Sequence, residues 1–144
     1  MTFAFVTLVL AQGLHVSVLD VSKPDAIYED VSRALAEEVV TELLGAGFLA
    51  SRVDESQLSR PCRIGPCLGE IAAQQHADVL VLLDAAEAQG GNQVALAAMR
   101  ERDGKPLATA KYSTAQAAKM KKKLKRFAAD VLKASREKEA PRPP

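Results

Sequence analysis

The 144-residue chain has no tryptophan, and aromatic residues make up only 4% of it. A sequence this poor in rings lacks the stacking platform on which proteins hold single-stranded nucleic acid. Its core must be built from Val, Leu and Ala. Histidine occurs twice, at His15 and His76, and cysteine twice, at Cys62 and Cys67. Two thiolates alone cannot close a zinc site, and neither histidine stands at a recognised metal spacing from them. The four residues between the cysteines exclude a Cys-x-x-Cys redox motif. No apolar run approaches the ~20 residues that a membrane-spanning helix needs. Gly90-Gly91 lacks the Gly-x-Gly-x-x-Gly spacing, is not followed by a helix, and is a poor phosphate cradle. No Walker-type lysine follows any glycine loop. Neither histidine has a Ser or Cys beside it, although triads assembled only by folding are invisible at this level. The expectation is a protein that is not an enzyme and has no cofactor and no metal.

What is present is 48% apolar and 26% charged sequence, enough to bury the core of one ordinary domain. The net charge of +1 conceals a division. Residues 1–100 carry 6 Lys and Arg against 13 Asp and Glu, whereas residues 101–144 carry 13 against 5. Six cations fall within eight residues, at Lys119, Lys121, Lys122, Lys123, Lys125 and Arg126. Such a block binds phosphates or anionic lipid head groups, or else it is the solvated face of an amphipathic helix. It could equally dock on the chain's own acidic body.

Phe3 to Ala11 is a nine-residue apolar run with the length of a signal-peptide h-region, and Val9-Leu10-Ala11 fits a cleavage site before Gln12. The positive n-region is missing. The competing reading is an internal strand continuing into Val16–Val21. Residues 1–13 are taken as a signal-peptide remnant, 14–134 as one α/β domain and 135–144 as a Pro-rich flexible tail. Cys62 and Cys67 frame Arg63-Ile64-Gly65-Pro66, a turn that suits a small disulfide-closed loop. That pairing requires an oxidising compartment. In the cytosol both thiols would be packing residues.

Leu14–Val21 reads as a first strand, broken by Ser22-Lys23-Pro24, with Asp25 as N-cap of a helix to Leu44. Ile27, Val31, Leu35, Val39 and Leu43 recur at i+4 along it. Glu29, Asp30, Glu37, Glu38 and Glu42 form its solvated acidic face, with Arg33 and Glu37 as an i, i+4 pair. Phe48–Val53 makes a second strand, and 54–66 an irregular connection holding the cysteines. Cys67–Gln75 is a short helix with Leu68, Ile71 and Ala72 inward. Val79–Leu83, apolar without alternation, has the pattern of a central strand. Gln89–Asn92 turns into a strand over 93–100, the Asp103-Gly104 hairpin returns as Leu107–Tyr112, and a helix covers 115–134. His76 has a structural polar role at a helix-to-strand junction, and His15 is a surface or edge residue. The expected fold is an α/β (α+β-like) two-layer sandwich. It has a mixed sheet of about five strands in the order β-α-β-α-β-β-β-α.

Three runs carry a family resemblance. They are His15–Asp20 followed by a long helix ending in Gly45-Ala46-Gly47-Phe48; Cys67 to Val81, with its helix and Ala77-Asp78 leading into a strand; and the Gly90-Gly91 turn with the Asp103-Gly104 hairpin. Over roughly residues 14 to 132 the sequence resembles the small α/β domain of TolB amino-terminal-like and CsgG-like bacterial envelope proteins. It shows neither the membrane-spanning hairpins of the pore-forming members nor a lipidation cysteine after the apolar run. The resemblance implies a non-catalytic periplasmic or secreted domain that binds other envelope proteins, and the strand edges of the closing meander separately offer a route to β-augmentation or self-association. The alternative is a cytosolic module that uses the 119–126 face on nucleic acid or an anionic membrane. Against nucleic acid stand the acidic body and the absence of aromatics among the lysines. A third reading is a small-ligand binder with a pocket at the carboxyl ends of the strands.

Overall fold

The computed structural model describes residues 13–53, 66–101 and 104–137. They form β1 (His15–Asp20), α1 (Glu29–Gly45), β2 (Leu49–Arg52), α2 (Pro66–Gln74), β3 (Val79–Ala88), β4 (Gly91–Arg100), β5 (Pro106–Ser113) and α3 (Ala117–Glu137), in the expected order. The Phe3–Ala11 run, Cys62 with most of its connection, Arg102 and Asp103 of the hairpin, and the Glu139–Pro144 tail lie outside the described residues.

The strands form one mixed sheet in the order β2-β1-β3-β4-β5. β1 pairs in parallel with β2 and β3, and β3, β4 and β5 follow as antiparallel neighbours. Val79–Leu83 lacks alternation because β3 is buried on both sides of the sheet. Val79, Val81 and Leu83 face one core cluster and Leu80 the other. β3 continues beyond the expected Leu83 because its ladder with β4 persists to Ala88↔Gly91. In that extension alternation appears, with Asp84 and Glu87 exposed.

α1 and α3 cover one face of the sheet. Leu35, Val39 and Leu43 from α1 and Leu124, Phe127 and Val131 from α3 pack on Val16, Val18, Val81, Leu83, Val94 and Leu96. Full burial of each such side chain contributes about 1.5–3 kcal/mol, which makes this helix-on-sheet contact the main store of stability. On the reverse face α2 adds a smaller cluster of Ile71, Ala72 and Ala77 against Leu19, Val53 and Leu80. The molecule is a two-layer sandwich with α2 as a cap behind the parallel half of the sheet.

Three local expectations are corrected. α1 begins at Glu29 rather than after an Asp25 cap. The Ala26 N–H closes a turn onto the Lys23 carbonyl, next to Pro24, and Ile27 then enters the core, so the helix starts only once that anchor is set. The first helical cation pairs backward, not forward: Arg33 Nη2 lies 3.3 Å from Glu29 Oε1. Glu37 instead meets Arg52 of β2 at 3.1 Å. The last helix spans Ala117–Glu137, not 115–134.

α1 and α2 end alike. At α1 the Phe48 N–H reaches the Leu43 carbonyl across Gly47 (φ 103°). At α2 the Ala77 N–H reaches the Ala72 carbonyl across His76 (φ 53°), and the His76 N–H reaches the Ala73 carbonyl. Both are Schellman closures, and the left-handed residue they need is easy for glycine and costly for histidine. His76→Gly should therefore raise unfolding stability by up to about 1 kcal/mol, whereas a β-branched His76→Val should lower it by at least as much. Chemical denaturation of the two variants against the parent chain measures both effects.

Candidate functional site

Helix α3 places its apolar residues on one stripe and its cations on the rest of its circumference. Leu124, Phe127, Ala128 and Val131 are buried, while Lys119, Lys121, Lys122, Lys123, Lys125 and Arg126 are all exposed. At 100° per residue Lys119, Lys122, Arg126 and Lys133 project straight outward along roughly 20 Å of helix. Lys133 and Arg136 continue this face beyond the block visible as a run in the sequence. Both ion pairs found among the described residues lie elsewhere, on Arg33 and Arg52. The basic face is therefore a positive surface with no ion pair among the described residues, and the apolar stripe of the helix is buried in the core.

One cation has a local role. Lys123 Nζ donates a hydrogen bond to the Lys111 carbonyl of β5 at 3.0 Å. β5 is an edge strand, and its register with β4 (Val94↔Tyr112, Ala95↔Lys111) leaves alternate residues with their backbone groups turned away from the sheet. The Thr114 N–H bond to the Asn92 carbonyl fixes that alternation, so Thr109, Lys111 and Ser113 point outward. Lys123 thus covers part of an otherwise open edge, a common use of lysine beside edge strands.

Beneath the helix layer lies Tyr112, 3% exposed, whose hydroxyl has no hydrogen-bond partner. Burial, and secondarily the Glu38 carboxylate, push its pKa well above the ordinary tyrosine value. Nothing in its one-letter neighbourhood reveals this; it appears only when β5 is laid under α3.

At the carboxyl end of β1 a cleft of about 250 Å³ is lined by Asp20, Ser22, Lys23, Pro24, Ile27, Glu29 and Ser32. β1 lies between β2 and β3, and this end is where open α/β sheets hold ligands. The lining is already engaged, however. Ser22 Oγ accepts the Ala85 N–H at 2.8 Å, Asp20 Oδ1 accepts the Ser22 N–H at 2.9 Å, and the Ser32 hydroxyl donates to the Glu29 carbonyl. The cleft anchors the β1–α1 loop to β3, and it falls below the usual size of small-molecule sites. Its sequence signal was the break at Ser22-Lys23-Pro24.

Cys67 is half-buried at the start of α2, and its expected partner Cys62 lies outside the described residues. Among the described residues no group of three His, Cys, Asp or Glu side chains is placed to hold a metal ion. No described helix is long and apolar enough to cross a membrane. His15 is exposed at the start of β1, where its N–H donates to Asp78 Oδ2 at 2.8 Å, and His76 serves the α2 terminus.

No family model and no curated protein matches the chain. Solved structures share its fold. It is similar to the PelC dodecamer from Paraburkholderia phytofirmans, at TM-score 0.51 and 9% identity over 84% of this chain and 88% of that one. It is similar to TolB from Acinetobacter baumannii, at 0.52 and 14% over 82% of this chain but 28% of TolB. Lipoprotein GNA1162 from Neisseria meningitidis matches at 0.50 and 17%, over 69% of this chain and 78% of that one. The expected TolB-like resemblance therefore holds at the level of fold.

The unpartnered Tyr112 hydroxyl yields a test with a defined sign. A tyrosine whose folded pKa is raised stays neutral in the native state while its unfolded counterpart ionises near pH 10. Its contribution is complete below that pH and is lost as pH rises beyond it. Tyr112→Phe should keep or raise stability at neutral pH, by up to about 1 kcal/mol. It should also flatten the fall in stability above pH 10. A parallel pH series of thermal melts reads the difference between the two proteins.

Proposed function

We propose that residues 14–134 form a non-catalytic assembly domain of the bacterial cell envelope, periplasmic or secreted, which binds other proteins. The observation that carries this reading is the exposed, ion-unpaired cation face of α3 lying beside the open β5 edge. Together they offer a broad surface for a macromolecule. Two features support the setting. The fold is shared with TolB, with a lipoprotein and with PelC, which is a dodecamer. The spacing of Cys62 and Cys67 suits a disulfide formed in an oxidising compartment. Closing so short a loop contributes about 2–3 kcal/mol. The Phe3–Ala11 run would then be the remnant of an export signal.

The same cation face favours a second reading, a cytosolic module on nucleic acid or an anionic membrane. Photo-cross-linking from position Lys122 in the native host separates the two. The envelope reading expects cross-links to proteins of the envelope fraction and an unalkylated cysteine pair in protein recovered without reductant. Cross-links to nucleic acid, two alkylated thiols, and binding that weakens steeply with salt would replace it with the cytosolic reading.

A further inference from the structure

We infer that copies of this chain associate head to tail, with the β5–α3 side of one against the β2–α1 side of the next. This rests on the assembly reading above and names the surfaces that meet.

The sheet is open at both ends, and its two edges are compatible. β2 and β3 each run parallel to β1, and β5 lies two antiparallel steps from β3, so β5 and β2 point the same way. The Leu49 N–H bonds the Leu14 carbonyl and the Val53 N–H the Val18 carbonyl, so these residues turn to β1. Ala50 and Arg52 turn their backbone groups outward. A neighbour's β2 can therefore continue the sheet beyond β5 as a parallel strand with both helix layers on one side.

In that arrangement α3 of one copy lies beside α1 of the next, and their charges are opposite. α1 carries five carboxylates against Arg33, a net of −4, and α3 carries eight cations against Asp130 and Glu137, a net of +6. The flanks facing the edges can be assigned. The Lys123 bond to the outward Lys111 carbonyl marks the flank of α3 at the β5 edge, which by helical spacing adjoins Asp130 and, turned further outward, Lys119 and Arg126. The Glu37–Arg52 pair marks the flank of α1 at the β2 edge, which holds Asp30 and Leu44 two turns away and the Glu29–Arg33 pair beside them, so carboxylates outnumber cations there by three to two. In assembly each basic helix would stand between two acidic ones, its own α1 and its neighbour's.

An independent feature lies on the same side. Three large apolar side chains are exposed among the described residues, and two of them lie at this edge: Leu44 at 49% on the α1 flank and Leu49 at 40% on the reverse face of β2. An exposed apolar group beside a charged flank, with a second behind the same strand, marks a contact surface. Before association Lys123 guards the β5 edge. On association the neighbour's β2 backbone takes the Lys111 carbonyl, and the freed ammonium meets the neighbour's acidic flank. Such a contact joins different surfaces of identical chains, so it closes into a ring or runs on as a filament.

Light scattering and sedimentation of the full chain test this with paired charge reversals. The parent protein should sediment as a multiple of the single chain at low salt and dissociate as ionic strength rises from about 50 to about 500 mM. Lys119→Glu with Lys123→Glu and Arg126→Glu, and separately Asp30→Lys with Glu37→Lys, should each give single chains of unchanged circular dichroism. An equimolar mixture of the two variants should regain the parental mass, because each then offers the other an opposite flank. Reversed variants that assemble like the parent, or a folded pair that fails to reassemble on mixing, would overturn the inference. A parent chain that stays single at every salt concentration would overturn it too. If Lys122 still cross-links to envelope proteins in that case, the envelope reading stands and only the head-to-tail contact falls.

Discussion

The structure depends on β3 being covered on both faces and bonded along both edges. That requires five successive apolar residues, Val79 to Leu83, and it places parallel β1 on one side and antiparallel β4 on the other. From this strand the helix layer follows. α1 returns over β1 and β2, α2 closes the reverse of the parallel half, and α3 folds back over β5. Ser22 ties the arrangement together at one end by accepting the Ala85 N–H, which joins the first loop to the middle strand. A charge at Val81 would have no partner on either face, and its desolvation would outweigh what neighbouring contacts return.

Legibility followed the range of the interaction. The element order, the central strand, the β4–β5 hairpin and most inward positions of α1 and α2 could be read from sequence because each depends on periodicity or local turn chemistry. The start of α1 could not. Asp25 has the right chemistry for a cap, but the turn at Lys23–Ala26 and the burial of Ile27 settle the matter through contacts distant in sequence. The pairing of Arg33 with Glu29, and of Glu37 with Arg52 fifteen residues away, likewise depends on where β2 comes to rest. For His76 the sequence indicated a junction, but its left-handed backbone became visible only in three dimensions. Of the candidate surface, the lysine run was apparent from composition. Its relation to the β5 edge was not, because the Lys123–Lys111 contact joins elements that sequence reasoning treats separately.

The segregation of charge has a simple structural origin. α3 uses its apolar stripe on Val94, Leu96 and Tyr112, and every remaining position is free to carry a cation. Lysines packed this densely repel one another, and among the described residues no carboxylate lies close enough to pair with any of them. A merely solvated helix gains nothing from such a bias, since alternating signs dissolve as well and add i, i+4 attraction. A partner that brings negative charge removes the repulsion on binding and makes the interaction dependent on salt.

The edge strands then determine which partner gains most. A polyanion would neutralise the lysines yet leave the backbone groups of Thr109 and Ser113 and the outward groups of β2 to water. A protein strand satisfies both, because backbone pairing supplies affinity along the edge while the helix charges set orientation. The Lys123–Lys111 bond links the two: while it holds, the edge is blunted against indiscriminate pairing, and a partner that offers both an anionic group to the ammonium and a strand to the edge releases it cheaply. The acidic flank of α1 beside β2 has that combination of strand and carboxylate, and it is present in every copy of the chain.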